Sequence, residues 1–511
     1  MTATTGTAVR PRPPRATGAA PMTAARLLRI ELRRNAMPLI LPLIAALFWF
    51  DSYRPSTATP PLYVLRTFWN MGQGHTIVDF GPFVAGVAAW MGSRDRRRDV
   101  GDLVAATARP RWAGQLATWA ATAVWAVAAY LILVGALFAV YARQGVQGQP
   151  PWWWAAVGAT AVIAFSAAGF AVGAWWPSRF AAPVAAFGGF LAMVLSSQTG
   201  FSSFSGWALI LPTNSNGNFQ ADSGMLYPWL PDLPIARILF LGGLAAAALS
   251  LLGLLPGAGG PRLRQAAAVV TLAGVAAAGT SVVLARTARL GPHGIFIPAL
   301  HDAANDGSIS YTPVCGHAAG IPVCLNPAYQ SYLAGVTAAL APVAEEVAGL
   351  PGAPVRATQV GAAYDPREGG AGQAMTITGS PPVLGMPVGA LGLAGAFGWT
   401  SGEAAGQYRL LFVHAFTGAG HGPGTAAQRA VQAALLQDIG VPIATQPQLL
   451  SSVGLPSWAR TGGPHGPPPA TGPVYAAARR FAALPRAIQH AWLAAHLGAL
   501  RSGHLTLGQL P

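Results

Sequence analysis

The residue types that most often carry chemistry are scarce in this sequence, and one of them is missing. All 31 basic residues are arginine, so lysine does not occur in the chain. A P-loop needs a lysine that reaches the nucleotide phosphates, so the sequence excludes ATP hydrolysis by that route. Ser-x-x-Lys and lysine Schiff-base chemistry are excluded for the same reason, and the sequence contains no Gly-x-Ser-x-Gly turn. The sequence therefore predicts a chain that is not an enzyme and that holds no cofactor of its own.

Histidines are the remaining candidates for metal chemistry, and nine of the ten follow residue 290. A helical zinc pair has two histidines four residues apart with a glutamate beside the first. His414 and His421 are seven residues apart, and His490 and His496 are six apart. This spacing predicts no metal site.

The densest charge lies in SRDRRRDVGDLVAATARPRW, residues 93–112, with six arginines and three aspartates between two apolar stretches. The composition around it is that of a membrane protein, because 52% of the residues are hydrophobic and 9% are charged, against about 25% charged in soluble proteins. The net charge of +15 lies mainly beside apolar stretches, which is typical of membrane orientation and not of a nucleic-acid-binding module. Basic residues that are all arginine indicate a GC-rich bacterial genome. We expect a multi-pass protein of a bacterial plasma membrane, with the bilayer as a partner and no nucleic acid.

Seven apolar stretches are predicted to cross the membrane as helices, since a span takes about 20 apolar residues. They cover residues 36–51, 76–92, 112–141, 152–176, 181–199, 234–256 and 265–285. With the N-terminus inside, the inner segments hold sixteen arginines and the outer loops four, a strong positive-inside bias. We therefore expect a cytoplasmic tail (1–35), a transmembrane domain (36–285) and an extracytoplasmic domain (286–511).

Two flanking segments leave alternatives open. RLLRIELRR (26–34) is either a helix in the membrane interface, with its arginines toward the headgroups, or an ordinary basic flank. The loop 200–233 is either a set of short amphipathic pieces on the outer leaflet or a plain connection. Asp79, near the outer end of the second predicted span, is either a functional ionisable group inside the membrane or a residue that faces the interface.

The region 286–511 is expected to be an α+β domain. Helical periodicity runs through 328–350, 426–440 and about 475–500, with Gly440 ending the second helix, and 354–364 is typical of a strand. Residues 384–399 are short and rich in glycine, which favours a buried strand-turn-strand over an eighth span. Eight residues separate Cys315 from Cys324, and an extracytoplasmic position favours a disulfide between them over two free thiols.

The segment DLVAATARPR (102–111) carries a resemblance to a known family. Together with RLLRIELRR before the first span and the longer external loop before a later one, it resembles the membrane subunits of ABC exporters of the type-2 permease class. Asp102 and Leu103 match the acidic-leucine pair of that family, and Ala106, Thr107 and Arg111 match its Ala-Thr and distal arginine. Asp95 or Asp99 stands where an upstream glutamate is common. Ala108 and Val100 depart from the proline and threonine frequent there, and the seventh span and outer domain lie outside the usual six-span unit.

The resemblance covers about 260 residues and implies a permease subunit whose charged loop docks on a separate cytoplasmic ATP-binding subunit. A homodimer, or a heterodimer with a second permease, would form the transport path. The coupling residues implied are Arg94, Asp95, Arg98, Asp99, Asp102, Leu103, Thr107 and Arg111.

Two further interpretations apply to the outer domain. Its order of helix, strand, Gly-rich segment and VHAF helix loosely resembles gluzincin-like peptidase domains fused to permeases. Ala415 and Gly418 stand where a HExxH motif starting at His414 needs glutamate and histidine, so that resemblance implies an inactive version. The second function class is a membrane-anchored extracytoplasmic binding or sensing protein that transports nothing.

Overall fold

The protein has a helical N-terminal half and an α+β C-terminal region. The computed structural model describes residues 24–52, 75–97, 111–143, 148–199, 209–211, 224–255, 258–291, 294–361, 364–365, 370–371, 375–387, 401–418, 424–446 and 472–511.

Nine α-helices occupy the described part of the N-terminal half. They are α1 (Ala24–Arg34), α2 (Met37–Ser52), α3 (His75–Gly92), α4 (Arg94–Arg97), α5 (Arg111–Arg143), α6 (Trp152–Trp175), α7 (Ala181–Thr199), α8 (Asp232–Ser250) and α9 (Pro261–Arg286), with a 3-10 turn at Leu251–Leu254 after α8. Asn35 separates α1 from α2 by accepting a hydrogen bond from the Met37 N–H at 2.9 Å, as an N-cap does. Pro261 begins α9, where the lack of an N–H costs nothing.

Small residues bring the long helices close together. A Cβ on Gly169 or Gly173 of α6 would overlap the backbone of Ala85 or Ala89 in α3. Gly243 of α8 and Gly274 of α9 face one another in the same way. Close backbone approach at small residues is typical of helices packed in a membrane.

Four of these helices are long and apolar enough to cross a bilayer, fewer than the seven predicted. They are Arg111–Arg143, Trp152–Trp175, Asp232–Leu254 and Pro261–Arg286. The other predicted spans are shorter apolar helices, with apolar stretches at Met37–Phe50, Val78–Gly92 and Ala181–Leu195. A helix of 16 residues such as α2 rises only about 24 Å, short of the roughly 30 Å hydrocarbon core. The count applies to the described ranges.

The helices meet at two opposite ends of the bundle. At one end Met91, Ala174 and Ala258 share an apolar cluster, and the Trp112 N–H donates to the Ala258 carbonyl oxygen at 3.4 Å. We call this the arginine end, because the following arginines lie in or beside the helix termini that meet there: Arg33, Arg34, Arg94, Arg96, Arg97, Arg111, Arg179, Arg262 and Arg264.

The C-terminal region joins the bundle at the other end. There the Gln149 N–H donates to the Gly224 carbonyl oxygen at 2.9 Å. A two-stranded ladder, β1 (Arg289–Gly291) with β2 (Gly294–Phe296), directly follows α9.

A five-stranded mixed sheet forms one layer of the C-terminal region. Its strands are β3 (Val314–Ala318), β4 (Ile321–Leu325), β5 (Arg356–Val360), β8 (Thr376–Thr378) and β9 (Val383–Pro387), in the order β3-β4-β5-β9-β8. The β4-β5 and β5-β9 pairs are parallel, and the outer two pairs are antiparallel. Two further short strands, β6 (Tyr364–Asp365) and β7 (Gly370–Ala371), pair with each other. β5 lies inside the predicted strand 354–364. β9 overlaps the first residues of the predicted strand-turn-strand (384–399), whose residues 388–399 are outside the described residues.

Five helices complete the described C-terminal region. They are α10 (Gln330–Glu346), α11 (Ser401–Thr417), α12 (Ala426–Asp438), α13 (Pro473–Ala482) and α14 (Arg486–Arg501). The predicted helix 426–440 is confirmed in α12, which starts at a Thr425–Gln428 capping box and is followed by Gly440 at φ 82°. The single helix expected over about 475–500 is wrong, because Pro485 disfavours helical backbone at Leu484 and separates α13 from α14.

The core of the C-terminal region includes residues from the middle of the chain. Its buried side chains come from the sheet, α10, α11, α12, α13 and α14, and Met225 and Leu226 pack into the same cluster. The Leu226 carbonyl oxygen accepts the Ile309 N–H at 2.7 Å. The loop before α8 therefore packs against the C-terminal region. These contacts cross the predicted domain boundary at residue 286.

Candidate functional site

Arg94 is the first residue of the short helix α4, directly after the C-terminus of α3. Its guanidinium makes a two-point contact with Glu31 of α1, Nη1 donating to Oε2 and Nη2 to Oε1, each at 3.0 Å. Asp95 lies 3.5 Å from the Arg94 Nε. Burial alone would lower the pKa of Arg94, but the hydrogen bonds and charges of Glu31 and Asp95 outweigh it and raise that pKa. The pair keeps α1 and α4 together as one charged unit.

The faces of α1 explain why Glu31 is available for that pair. Leu27, Leu28 and Leu32 are half-buried, whereas Arg26 and Arg29 on the same helix are exposed. The backbone carbonyl of Leu32 accepts a hydrogen bond from Trp125 Nε1 of α5 at 3.0 Å. Thus α1 lies against α5 by its apolar face and presents arginines outward, an arrangement typical of interfacial helices.

Arg97 caps the arginine end of α3 from the last position of α4. Its Nη2 donates to the Trp90 carbonyl oxygen at 2.7 Å, and its Nε donates to Ser93 Oγ at 3.0 Å. The guanidinium carbon lies 3.4 Å from the centre of a Trp90 ring. The Ser93 Oγ donates to the same carbonyl oxygen at 3.1 Å, so Arg97 and Ser93 together satisfy a carbonyl at the C-terminus of α3.

The structure locates three of the eight predicted coupling residues. Arg94 and Asp95 lie together in α4, and Arg111 begins α5 at the same end of the bundle. Arg98, Asp99, Asp102, Leu103 and Thr107 lie outside the described residues. Glu31 was missed, although an acidic residue among the four arginines of RLLRIELRR was a visible signal.

A second group of buried charges lies at the opposite end, at the start of α8. Asp232 and Arg237 are both 0% exposed. The Arg237 Nε donates to the Leu209 carbonyl oxygen at 2.8 Å, and its guanidinium carbon lies 5.0 Å from the Trp154 ring centre. Arg237 is one of the four arginines that the positive-inside count assigns to outer loops, although it falls inside the predicted span 234–256, and it lies in the second turn of α8.

His301 connects Asp232 to the surface. Its Nδ1 lies 3.2 Å from Asp232 Oδ2, and its Nε2 lies 3.1 Å from Asp306 Oδ1. Asp232 Oδ2 also accepts the Ile297 N–H at 2.9 Å. No periodic pattern in the sequence points to this group, because its members are separated by up to 74 residues of chain (232 to 306).

Carboxylates at two helix C-termini form a further polar group in the C-terminal region. Glu346, the last residue of α10, lies 3.1 Å from Arg486 Nη2 and 3.4 Å from His490 Nε2. Asp438 ends α12, and burial together with the charge of Glu346 raises the pKa of Asp438 to about 6. Arg486 also donates to the Glu345 carbonyl oxygen at 3.0 Å. The first residue of α14 therefore caps the C-terminus of α10.

The predicted disulfide joins Cys315 of β3 to Cys324 of β4. These residues are directly opposed in the antiparallel register. The hairpin turns at Ala319 and Gly320, both at positive φ, as a two-residue type I′ turn requires.

The histidines considered for metal binding have other partners. His414 Nδ1 lies 3.3 Å from Gln432 Nε2, and His496 Nδ1 lies 2.9 Å from the Trp492 carbonyl oxygen. Among the described residues, no group of three or more His, Cys, Asp or Glu side chains is arranged to hold a metal ion. His421 lies outside them.

The apolar helices and the disulfide-linked α+β region define a membrane-associated protein. Comparison with protein-family models, with curated proteins and with solved structures found no match. The function must therefore be argued from the residues and their arrangement.

Proposed function

We propose that this chain is the permease subunit of an ABC exporter, energised by a separate ATP-binding subunit that docks on the arginine end. The observation that carries the proposal is the two-point Glu31–Arg94 contact at the foot of α3. It makes α1 and α4 one charged surface attached directly to a bundle helix. A partner that pushes on this surface would move α3 without an intervening flexible segment.

The proposed orientation has the arginine end inside and the C-terminal region outside. It is supported by the tendency of arginine-rich ends of apolar helices to stay on the cytoplasmic side. A disulfide in the C-terminal region agrees with an oxidising compartment. In this proposal all seven apolar helices cross or enter the membrane, the shorter ones beside the four long ones.

The transport path would lie between two permease copies, identical or related. The exposed apolar side chains of α7 and α9, such as Phe187 and Leu272, suit a lipid environment and an amphipathic or lipid-like substrate moved outward. The C-terminal region would gate the outer exit, receive substrate or bind a further partner.

Purification of the tagged chain in mild detergent from native membranes, followed by mass spectrometry, tests the proposal. A stoichiometric P-loop ATPase should copurify, and the double variant Asp102→Asn/Leu103→Ala should lose it. Arg143→Gln, at the opposite end of α5, is the matched control and should retain the ATPase. Recovery of the chain without an ATPase, under conditions that preserve a known ABC complex, would reject the permease proposal.

That negative outcome would favour a second candidate, a membrane-anchored binding or sensing protein. The observation behind it is the hydrophobic core of the C-terminal region, built from its sheet and five helices with Met225 and Leu226 of the loop before α8. In that case ligand binding would depend on the C-terminal region and would be unchanged in the Asp102→Asn/Leu103→Ala variant.

A further inference from the structure

Both ring nitrogens of His301 face carboxylate oxygens. Nδ1 lies 3.2 Å from Asp232 Oδ2, and Nε2 lies 3.1 Å and 3.3 Å from the two oxygens of Asp306. An ionised carboxylate only accepts hydrogen bonds, and a neutral imidazole has one N–H to donate. Only the protonated imidazolium therefore satisfies both contacts, so the geometry itself favours a proton on His301.

The contacts join two parts of the chain that are otherwise linked through α9. Asp232 is the first residue of α8 and is fully buried. Its Oδ2 holds both His301 and the Ile297 N–H, which belong to the segment that follows β1. Asp306 ends a 3-10 turn (Ala303–Asp306) at the surface. The hydrogen-bonded side chains of Asp306, His301 and Asp232 thus connect the solvent-exposed surface to the buried first residue of α8.

We infer that His301 is a proton-binding site, and that the bound proton fastens the segment 294–306 to the start of α8. The site lies at the junction between the helical bundle and the C-terminal region. The inference is independent of the proposed permease function, because it rests on these contacts alone.

The charges around His301 set the direction of its response. Burial alone would lower the pKa of His301, but the hydrogen bond and charge of Asp306 and those of Asp232 outweigh it and raise that pKa. Other charged residues lie on the described parts of the elements packed there. Asp302 accepts the Ala304 N–H at 3.0 Å, Arg237 lies further along α8, Arg286 ends α9, and Arg289 of β1 pairs with Phe296 of β2.

The sign of the pH effect follows from a raised histidine pKa. In the unfolded segment His301 binds the proton with a pKa of about 6.5. Below that pH the protonated His301 therefore contributes its full stabilisation to the contact between the segment 294–306 and α8. This stabilisation is lost as pH rises through the higher pKa of the folded state. The segment 294–306 should therefore be held more firmly at pH values below about 6.5 than at pH values above the raised pKa of His301.

Hydrogen exchange followed by mass spectrometry on the full-length protein, in nanodiscs of phosphatidylcholine and phosphatidylglycerol, tests the inference. Labelling times are scaled for the intrinsic pH dependence of exchange, and β5 serves as the internal reference. Protection of peptides covering 294–309 should fall roughly tenfold as pH rises through a midpoint above about 6.5, the scale expected for losing one charge-assisted hydrogen bond.

Three variants separate the site from a general pH effect. His301→Gln should remove the pH-dependent loss of protection, whereas His317→Gln, at an exposed histidine of the same region, should keep it. Asp306→Asn, at a largely exposed residue, should lower the midpoint. A flat wild-type profile, the same loss in His301→Gln, or an unchanged midpoint in Asp306→Asn would overturn the inference.

Discussion

At the scale of single residues, the ion pair between Glu31 and Arg94 is the most specific feature of the arginine end. The side chains are 12% and 18% exposed, respectively, so the pair is better shielded from water than a surface salt bridge. Two parallel N–H···O bonds also fix the guanidinium plane, which lysine cannot reproduce.

Glu31→Gln should lower the thermal midpoint of the detergent-solubilised protein. It leaves Arg94 half-buried without its main anion, a loss of about 1–3 kcal/mol. Arg94→Lys should lose part of the same stability, and the charge swap Glu31→Arg/Arg94→Glu should restore some of it. Arg29→Gln, which removes an exposed arginine of the same helix, is the control. A Glu31→Gln midpoint equal to that of the control would mean that the pair does not hold α1 in place.

The sequence predicts some residues of the Glu31–Arg94 site and not others. Arg94 and Asp95 were predictable because they lie in a dense charged run between apolar stretches. Their partner was not, since Glu31 lies 63 residues earlier and only the packing of α1 on α5 brings it near. For the same reason the sequence does not predict the contact between Asp232 and His301, which are 69 residues apart.

At the scale of elements, the apolar stretches and Gly440 predicted helices and a helix end correctly, whereas strand pairing was not predicted. All seven apolar stretches form helices, but periodicity does not report whether a helix is long enough to span. The β3–β4 hairpin was missed because Ala319 occupies a positive-φ position that usually carries Asn, Asp or Gly. Pro485 was a visible helix breaker, and it should have divided the last predicted helix.

Helices α8 and α9 cross where Gly243 faces Gly274. A Cβ on Gly274 would lie 2.6 Å from the Gly243 carbonyl oxygen and 2.9 Å from the Ala247 nitrogen. Because both contacts are to backbone, Gly274→Ala must push the helices apart, at a cost of roughly 1–3 kcal/mol. The thermal midpoint should fall accordingly.

Gly279→Ala is the matched control, because it lies in the same helix and a Cβ there would meet nothing within 4 Å. It should leave the midpoint unchanged or raise it slightly, since alanine favours helix over glycine. Equal midpoints for the two variants would show that the helices can separate at Gly274 without loss.

At the scale of the whole molecule, the arginines clustered at the helix termini and the disulfide lie at opposite ends of the helical bundle. The arginine end carries the exposed arginines of α1 and the start of α5, whereas the disulfide and every described strand lie beyond the other end. A bilayer between the two ends accounts for this separation. The orientation can be tested on the protein itself, because the chain has two cysteines in total.

Labelling of intact cells with a membrane-impermeant maleimide should give no adduct on the wild-type chain, because both thiols are joined. Cys324→Ser leaves Cys315, an exposed residue, as the single free thiol, and it should be labelled in intact cells without reductant. Cys315→Ser leaves the buried Cys324 and should react far more slowly, which controls for exposure. Labelling of unreduced wild-type protein would contradict the disulfide, whereas Cys324→Ser protein that reacts only after lysis would place the C-terminal region inside and reverse the orientation.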